Sequence, residues 1–295
     1  MRSKDFGIIA NLSEELRKED MLEVWRKMCQ ARFFEFNVKD VFDAGRIKCP
    51  IYLSVGHESI PAAISTVYKN PYIFAQHRAH ATYLSFGGDP VSLIDELLHR
   101  SAGCAKGMGG SASIHDPKIG MFGHSGLMGD QIPVSVGFAL GSHKNTLAVM
   151  GDAAAEEDYI ASSFGYAAHK KLPILFVCED NNLSILTKIE VRRNWKTVDV
   201  AKAFGLEAVE IADDPWVIMH YVKQLLPKLP AFMNVHTVRH LWHAGTGKDS
   251  EPEWSRSELT KQELARIGLE EEAKEIEEKA KVYIDGLWEK QLVEN

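Results

Sequence analysis

Asp152 and Asn181 are the two side chains of this sequence whose type and placement point most directly to chemistry. Each follows a short apolar run. Thr146-Leu-Ala-Val-Met150 leads into Gly151-Asp152, and Leu172-Pro-Ile-Leu-Phe-Val-Cys178 leads towards Asn181. Such runs are expected of buried parallel strands. Between them Ile160, Phe164 and Ala168 recur at helical spacing. Strand, helix and strand form a crossover unit whose strand ends share a crevice where ligands gather. One carboxylate and one amide oxygen there suit a hard cation, Mg²⁺, that keeps positions for water and phosphate. Taken alone the pair is explained equally well as turn chemistry, because Gly-Asp and Asn are favoured after strands.

Further segments decide between those readings. Gly151-Asp-Ala-Ala-Ala-Glu-Glu157 through Cys178-Glu-Asp-Asn-Asn182 resembles the thiamine diphosphate fingerprint, which opens Gly-Asp-Gly and closes on Asn. Lys106-Gly-Met-Gly-Gly-Ser-Ala-Ser113 and Gly126-Leu-Met-Gly-Asp-Gln-Ile-Pro133 resemble two signatures of one branch. That branch is the alpha subunit of the first component of 2-oxo acid dehydrogenases of the pyruvate, acetoin and branched-chain type. Gln76-His-Arg-Ala-His80 resembles its diphosphate segment, Arg239 to His243 its late Arg/His segment, and Ser54-Val-Gly-His-Glu-Ser59 its Gly-Gln-Glu element. Several motifs in the right order are far more specific than any one of them.

The resemblance implies a thiamine diphosphate-binding α/β fold, a mostly parallel central sheet with helices on both faces. It implies Mg²⁺ held by Asp152, Asn181 and the backbone carbonyl of Leu183. The cofactor's diphosphate would meet Gly151, Ala153 and Ala154, with Arg78 and Arg239 offering planar forks and His77 and His243 further donors. Leu127 and Met128 would lie along the aminopyrimidine ring. His243, with His80 as a second candidate, would steer protons or stabilise charge on the substrate. The resemblance also implies a beta subunit that supplies the missing catalytic glutamate, an α₂β₂ heterotetramer, and acyl transfer to a lipoyl-bearing acyltransferase. Two other readings stay open: the cofactor-binding half of a split transketolase-like enzyme or carboligase, and a non-catalytic scaffold.

Three departures bear on substrate and regulation. Ala153 stands in place of glycine at the fingerprint's third residue and adds a methyl close to the diphosphate path. His57 replaces the glutamine of Gly-Gln-Glu, and Tyr52 a usual histidine; both are expected towards the substrate entrance. Trp242-His243-Ala244 lacks the hydroxyl that is phosphorylated in some relatives.

The elements that must position these residues are legible in outline. With 295 residues, 45% of them hydrophobic, the chain is long enough for one large domain spanning 1–295. A net charge of −7 argues against a nucleic-acid surface. Cys29, Cys49, Cys104 and Cys178 form no Cys-x-x-Cys pair, and no apolar run has the length of a membrane span. Without a signal-peptide core at the start, a soluble cytoplasmic protein is expected. Asp20-Met-Leu-Glu23 resembles a capping box opening a helix with Leu22, Trp25, Met28 and Cys29. Helices are expected near Ala154, over 131–142, 197–204 and 214–226, and strands over 207–211 and 231–239. A mobile loop is expected over 188–196 and a further loop over 244–252. Leu269, Ala273, Ile276, Ala280, Tyr283 and Leu287 give a four-three stripe, for a last helix packed on its own domain or on a partner. His236, His240 and His243 have no accompanying cysteine or His-Glu-x-x-His, which disfavours zinc.

Overall fold

The computed structural model describes residues 12, 16–245 and 251–293. In chain order the helices are α1 (Lys18–Asp43), α2 (Ser59–Val67), α3 (His80–Ser85), α4 (Pro90–Leu97), α5 (Gln131–Ser142), α6 (Asp158–Lys170), α7 (Ile189–Arg192), α8 (Thr197–Ala203), α9 (Pro215–Leu225), α10 (Arg256–Arg266) and α11 (Glu270–Val293). The strands are β1 (Tyr72–Phe74), β2 (Met121–Phe122), β3 (Thr146–Gly151), β4 (Ile174–Asp180), β5 (Leu183–Ser184), β6 (Thr187–Lys188), β7 (Glu207–Ala212) and β8 (Ala231–His236). Six of them form a parallel sheet in the order β2-β1-β3-β4-β8-β7, while β5 and β6 pair as a small hairpin. The expected α/β fold is therefore present.

Alternation along the strands divides the core in two. Leu147, Val149, Leu175, Val177, Met233 and Val235 face a cluster built with α1, α2, α9 and α11. Ala148, Met150, Phe176, Cys178 and Phe232 face a second cluster with α5, α6 and α8. In the second, Phe164 packs 5.0 Å from Phe176 and 5.3 Å from Phe232, ring centre to ring centre. Each such buried ring contributes about 1.5–3 kcal/mol. With both faces covered, every residue of β4 is buried, which is why its sequence reads as a continuous apolar run.

The strand ends set the site. Gly151 pairs with Glu179, and Asp180 and Ala212 both pair with His236, so four strands stop at one level. From β1 the chain proceeds outward to β2, then crosses back to β3 beside β1 and on to β4. That reversal is a topological switch point, where a crevice opens beyond the carboxyl ends. Gly56 brings a further loop onto this edge. Its φ is +99°, and an added Cβ would lie 2.0 Å from the Val238 carbonyl oxygen. Only glycine permits so close an approach.

Several boundaries differ from expectation. Helix α1 begins at Lys18 with no side-chain cap, and Asp20 pairs instead with Arg17, so no capping box forms. Ala154–Glu156 is a single tight turn, and the helix proper starts at Asp158. Strand β8 ends at His236, because its neighbours β4 and β7 end in register with it. Residues 188–196 are not loop throughout: they include α7, held by arginine ion pairs described below. Part of the loop expected over 244–252 lies outside the described residues. The last helix packs on its own domain: Trp25 Nε1 donates to the Ala273 carbonyl at 2.8 Å, and Trp288 lies 5.4 Å from Phe34. Its buried stripe continues through Ile284 and Trp288, while Tyr283 is exposed. Among the described residues no helix is long and apolar enough to cross a membrane.

Candidate active site

A cavity of about 230 Å³ occupies the switch point. Several chain segments at that edge contribute. His77 and Arg78 follow β1; Gly151 ends β3 and Asp152, Ala153 and Ala154 follow it; Asn181 and Leu183 follow β4. Met128 comes from the glycine-rich stretch, and Arg239 and His243 come from the segment after β8. The structure thus brings together eleven sequence-predicted residues. Leu127 stands at 61% exposure beside Met128 and does not line the cavity. His80 does not line it either: it is fully buried, with Nδ1 2.9 Å from Glu35 Oε2 and Nε2 2.9 Å from Ser111 Oγ. A larger hollow of about 440 Å³, beside Lys27 and Lys69, gathers no strand ends. The smaller cavity carries the chemistry.

Charge in the cavity is arranged in opposed pairs. Asp152 is 2% exposed, and burial together with nearby Asp180 raises its carboxyl to about 6 against the pull of Arg192 and Arg193. Asn181 Oδ1 accepts the Leu183 amide at 3.0 Å, and Asn181 Nδ2 lies 3.4 Å from His57 Nε2. With that amide donating to Nε2, the His57 proton sits on Nδ1, 3.2 Å from Glu179 Oε2. Gln76 also donates to Glu179. His57 is therefore buried behind Glu179 and Asn181, not towards an entrance as expected. Tyr52 packs edge-on to His77 at 4.8 Å and to His243 at 5.6 Å. Arg239 donates to the Ile185 carbonyl at 2.6 Å and approaches His243 Nδ1 at 3.2 Å, and Arg78 donates to the Leu53 carbonyl.

The lining retains buried polar atoms without a partner among the described residues: His77 Nε2, His124 Nε2 and Gln131 Oε1. For His124 the tautomer follows from geometry. The Gly126 amide donates to Nδ1 at 2.7 Å, leaving the proton on Nε2 as an unmatched donor. An unmatched buried donor such as His124 Nε2 costs about 1–3 kcal/mol, which a ligand rich in oxygen acceptors would recover; Gln131 Oε1 is an acceptor and would need a donor instead. Two buried guanidiniums, a buried carboxylate, an amide and such donors fit a metal-bound diphosphate. Gln76, His124, Gln131, Glu179, Arg192 and Arg193 were not singled out from sequence. Strand alternation could have found Glu179, since it shares a face with Asn181.

A family model described as Dehydrogenase E1 component matches residues 26–244. The chain belongs to the dehydrogenase E1 component family. Curated relatives of this E1 chain include a pyruvate dehydrogenase E1 component subunit alpha from Rickettsia felis. It is 27% identical over 244 residues, covering 77% of this chain and 74% of that protein. A protein of the same name from Zymomonas mobilis is 26% identical over 245 residues, covering 77% and 68%. Among solved structures, a transketolase from Campylobacter jejuni superposes with a TM-score of 0.57 at 17% identity, over 95% of this chain and 49% of that one. One from Leishmania mexicana gives 0.56 at 14%, over 92% and 46%. The E1 chain spans about half the length of these transketolases, and that likeness shows a shared fold. The resemblance to alpha subunits read from the motifs agrees with the family match and the relatives' names.

Neutral buried histidines should make the E1 chain acid-sensitive. Burial lowers His77 well below 6.5, with Arg78 and the neighbouring histidines acting in the same direction, and lowers His240 to about 4. Both stay unprotonated in the folded state while the unfolded chain takes up protons below 6.5. The unfolded state therefore binds more protons in this window, and stability falls as pH drops through it. His240→Asn should remove about 1–2 kcal/mol of that loss at pH 4.5, after allowance for its partial exposure. Urea midpoints measured from pH 7 to 4.5 check this; parallel curves for the two proteins would contradict it.

Proposed function

We propose that this chain is the cofactor-binding alpha subunit of a thiamine diphosphate- and Mg²⁺-dependent 2-oxo acid dehydrogenase first component. The carrying observation is the convergence of Asp152, Asn181 and Leu183 with Arg78, Arg239 and His77 around one cavity at the switch point. Asp152, the Asn181 side chain and the Leu183 carbonyl would hold the ion. Among the described residues no three His, Cys, Asp or Glu side chains converge as a metal site, so the ion's other ligands would be phosphate and water. Arg78 and Arg239 would bring charge-assisted donors to the phosphates. Backbone groups of Leu127 and Met128 would flank the aminopyrimidine. Thiamine diphosphate, when bound, supplies the carbon nucleophile and electron sink for decarboxylating a 2-oxo acid. Among this chain's residues, His243 is placed to steer a proton at the cavity.

A beta subunit would complete the site. At about 230 Å³ the cavity falls below the about 300–1,000 Å³ of usual ligand pockets. Beside it, Leu127 and Ile185 are each 61% exposed and Leu186 is 64% exposed, apolar surface suited to a partner chain. An α₂β₂ heterotetramer in the cytoplasm, passing its acyl group to a lipoyl-bearing acyltransferase, is the assembly this reading carries. Calorimetry with thiamine diphosphate, with and without Mg²⁺, should show metal-dependent binding to this chain. Decarboxylation of a panel of 2-oxo acids should appear only with a co-expressed beta chain. A chain that binds no cofactor in either state would instead be a scaffold.

A further inference from the structure

One closely paired cation beside the cavity is neither a phosphate-type arginine nor a metal ligand. Arg192, at the end of α7, donates from Nη2 to Asp152 Oδ2 and from Nη1 to Glu156 Oε1 at 2.6 Å. Arg193 reinforces it, with Nη1 3.3 Å from the Asp152 carbonyl and Nε 3.5 Å from Glu156 Oε1. Their side chains are 11% and 4% exposed, so these are largely desolvated contacts. Among the described residues Arg192 Nε is buried without a partner, so its fork is not fully satisfied by the two carboxylates.

The carboxylate that the proposed function gives to a divalent ion is thus already neutralised by a cation of the chain itself. Mg²⁺ sits about 2.0–2.1 Å from its oxygen ligands. An ion bound to Asp152 would stand beside the guanidinium with no room for solvent screening, and the two positive charges would repel. The positions are also linked covalently and by hydrogen bonds. Leu183 begins the hairpin that leads into α7, and the Ile189 amide donates to the Asn182 carbonyl at 3.2 Å and to its side-chain oxygen at 3.1 Å. A planar guanidinium leaving Asp152 finds in a diphosphate an anionic acceptor for its paired donors.

We propose that Arg192 is a further residue of the cofactor site: it holds the cation's place on Asp152 and excludes free divalent metal until a diphosphate arrives to receive it. This rests on the proposed cofactor reading, and its consequence is that metal and diphosphate load together. The test is Mn²⁺ binding to the full chain, followed by electron paramagnetic resonance with and without thiamine diphosphate. Wild type should bind Mn²⁺ at least about 100-fold more tightly when the diphosphate is present. Arg192→Gln should tighten binding of Mn²⁺ alone by about tenfold or more and shrink the dependence on diphosphate accordingly. Arg192→Lys, which keeps the charge, should stay near wild type, and Asp152→Asn added to Arg192→Gln should abolish the gain. Unchanged or weaker Mn²⁺ binding in Arg192→Gln, with a wild-type thermal midpoint, overturns the proposal. As a measurement on wild type alone, amide exchange over 189–193 should speed up on loading; unchanged protection there overturns it too. A wild type indifferent to thiamine diphosphate, beside an Arg192→Gln chain that takes Mn²⁺ more tightly, would sink the cofactor reading and support the exclusion of metal by Arg192.

Discussion

Replacing Asp152 by alanine should weaken Mg²⁺-dependent thiamine diphosphate binding by more than about 100-fold, beyond the 10–100-fold that loss of an outer-shell partner costs. Asp152 is the only charged group in the proposed ligand set; Asn181 and Leu183 offer neutral oxygens. Little folding free energy should be lost. The carboxylate is disfavoured by its own burial and by Asp180, as its raised value of about 6 shows. Arg192 keeps its 2.6 Å contact with Glu156 when Asp152 is removed. Calorimetry should therefore show lost cofactor binding beside a thermal midpoint within a few degrees of wild type. Near-wild-type affinity would contradict the metal assignment, whereas a collapsed midpoint would mean that Asp152 mainly neutralises Arg192.

How far the site could be read from sequence depended on whether the chain path is local. Asp152 and Asn181 were visible because each lies immediately beyond a strand, and the crossover unit fixes where such ends meet. His77 and Arg78 were visible only through the resemblance, since β1 has three residues and no periodicity to announce it. His80 sits three positions from His77 yet opens α3, and that short helix turns it towards Glu35 of α1. The basic run over 188–196 looked unstructured because its order comes from contacts made across some 40 positions of sequence, to Asp152 and Glu156. Burial of His57 is likewise tertiary: the loop carrying it lies against Val238 only because Gly56 lacks a side chain.

A second large effect is expected well away from the cavity lining. Arg256→Met should cost about 3–5 kcal/mol of stability, because removing one partner leaves a buried charge uncompensated. Arg256 is 1% exposed and donates from Nε to Asp213 Oδ1 at 2.7 Å; Asp213 is fully buried. Asp213 also accepts from Trp254 Nε1 at 3.2 Å and lies 2.9 Å from Thr237 Oγ1, which is 3.0 Å from the Gly56 carbonyl. The knot therefore joins the end of β7, the start of α10 and the Gly56 loop to the segment that carries Arg239 two residues on. Urea denaturation should show the lower midpoint, and cofactor affinity should fall with it as Arg239 loses its fixed position. Among the described residues Arg256 Nη1 and Nη2 have no hydrogen-bond partners, although Nη1 lies 3.9 Å from Asp214 Oδ2, so the pair is itself incompletely satisfied. Asp213→Asn combined with Arg256→Met should for that reason recover most of the lost stability. A double variant no better than the single one would assign the penalty to lost packing instead of to the stranded carboxylate.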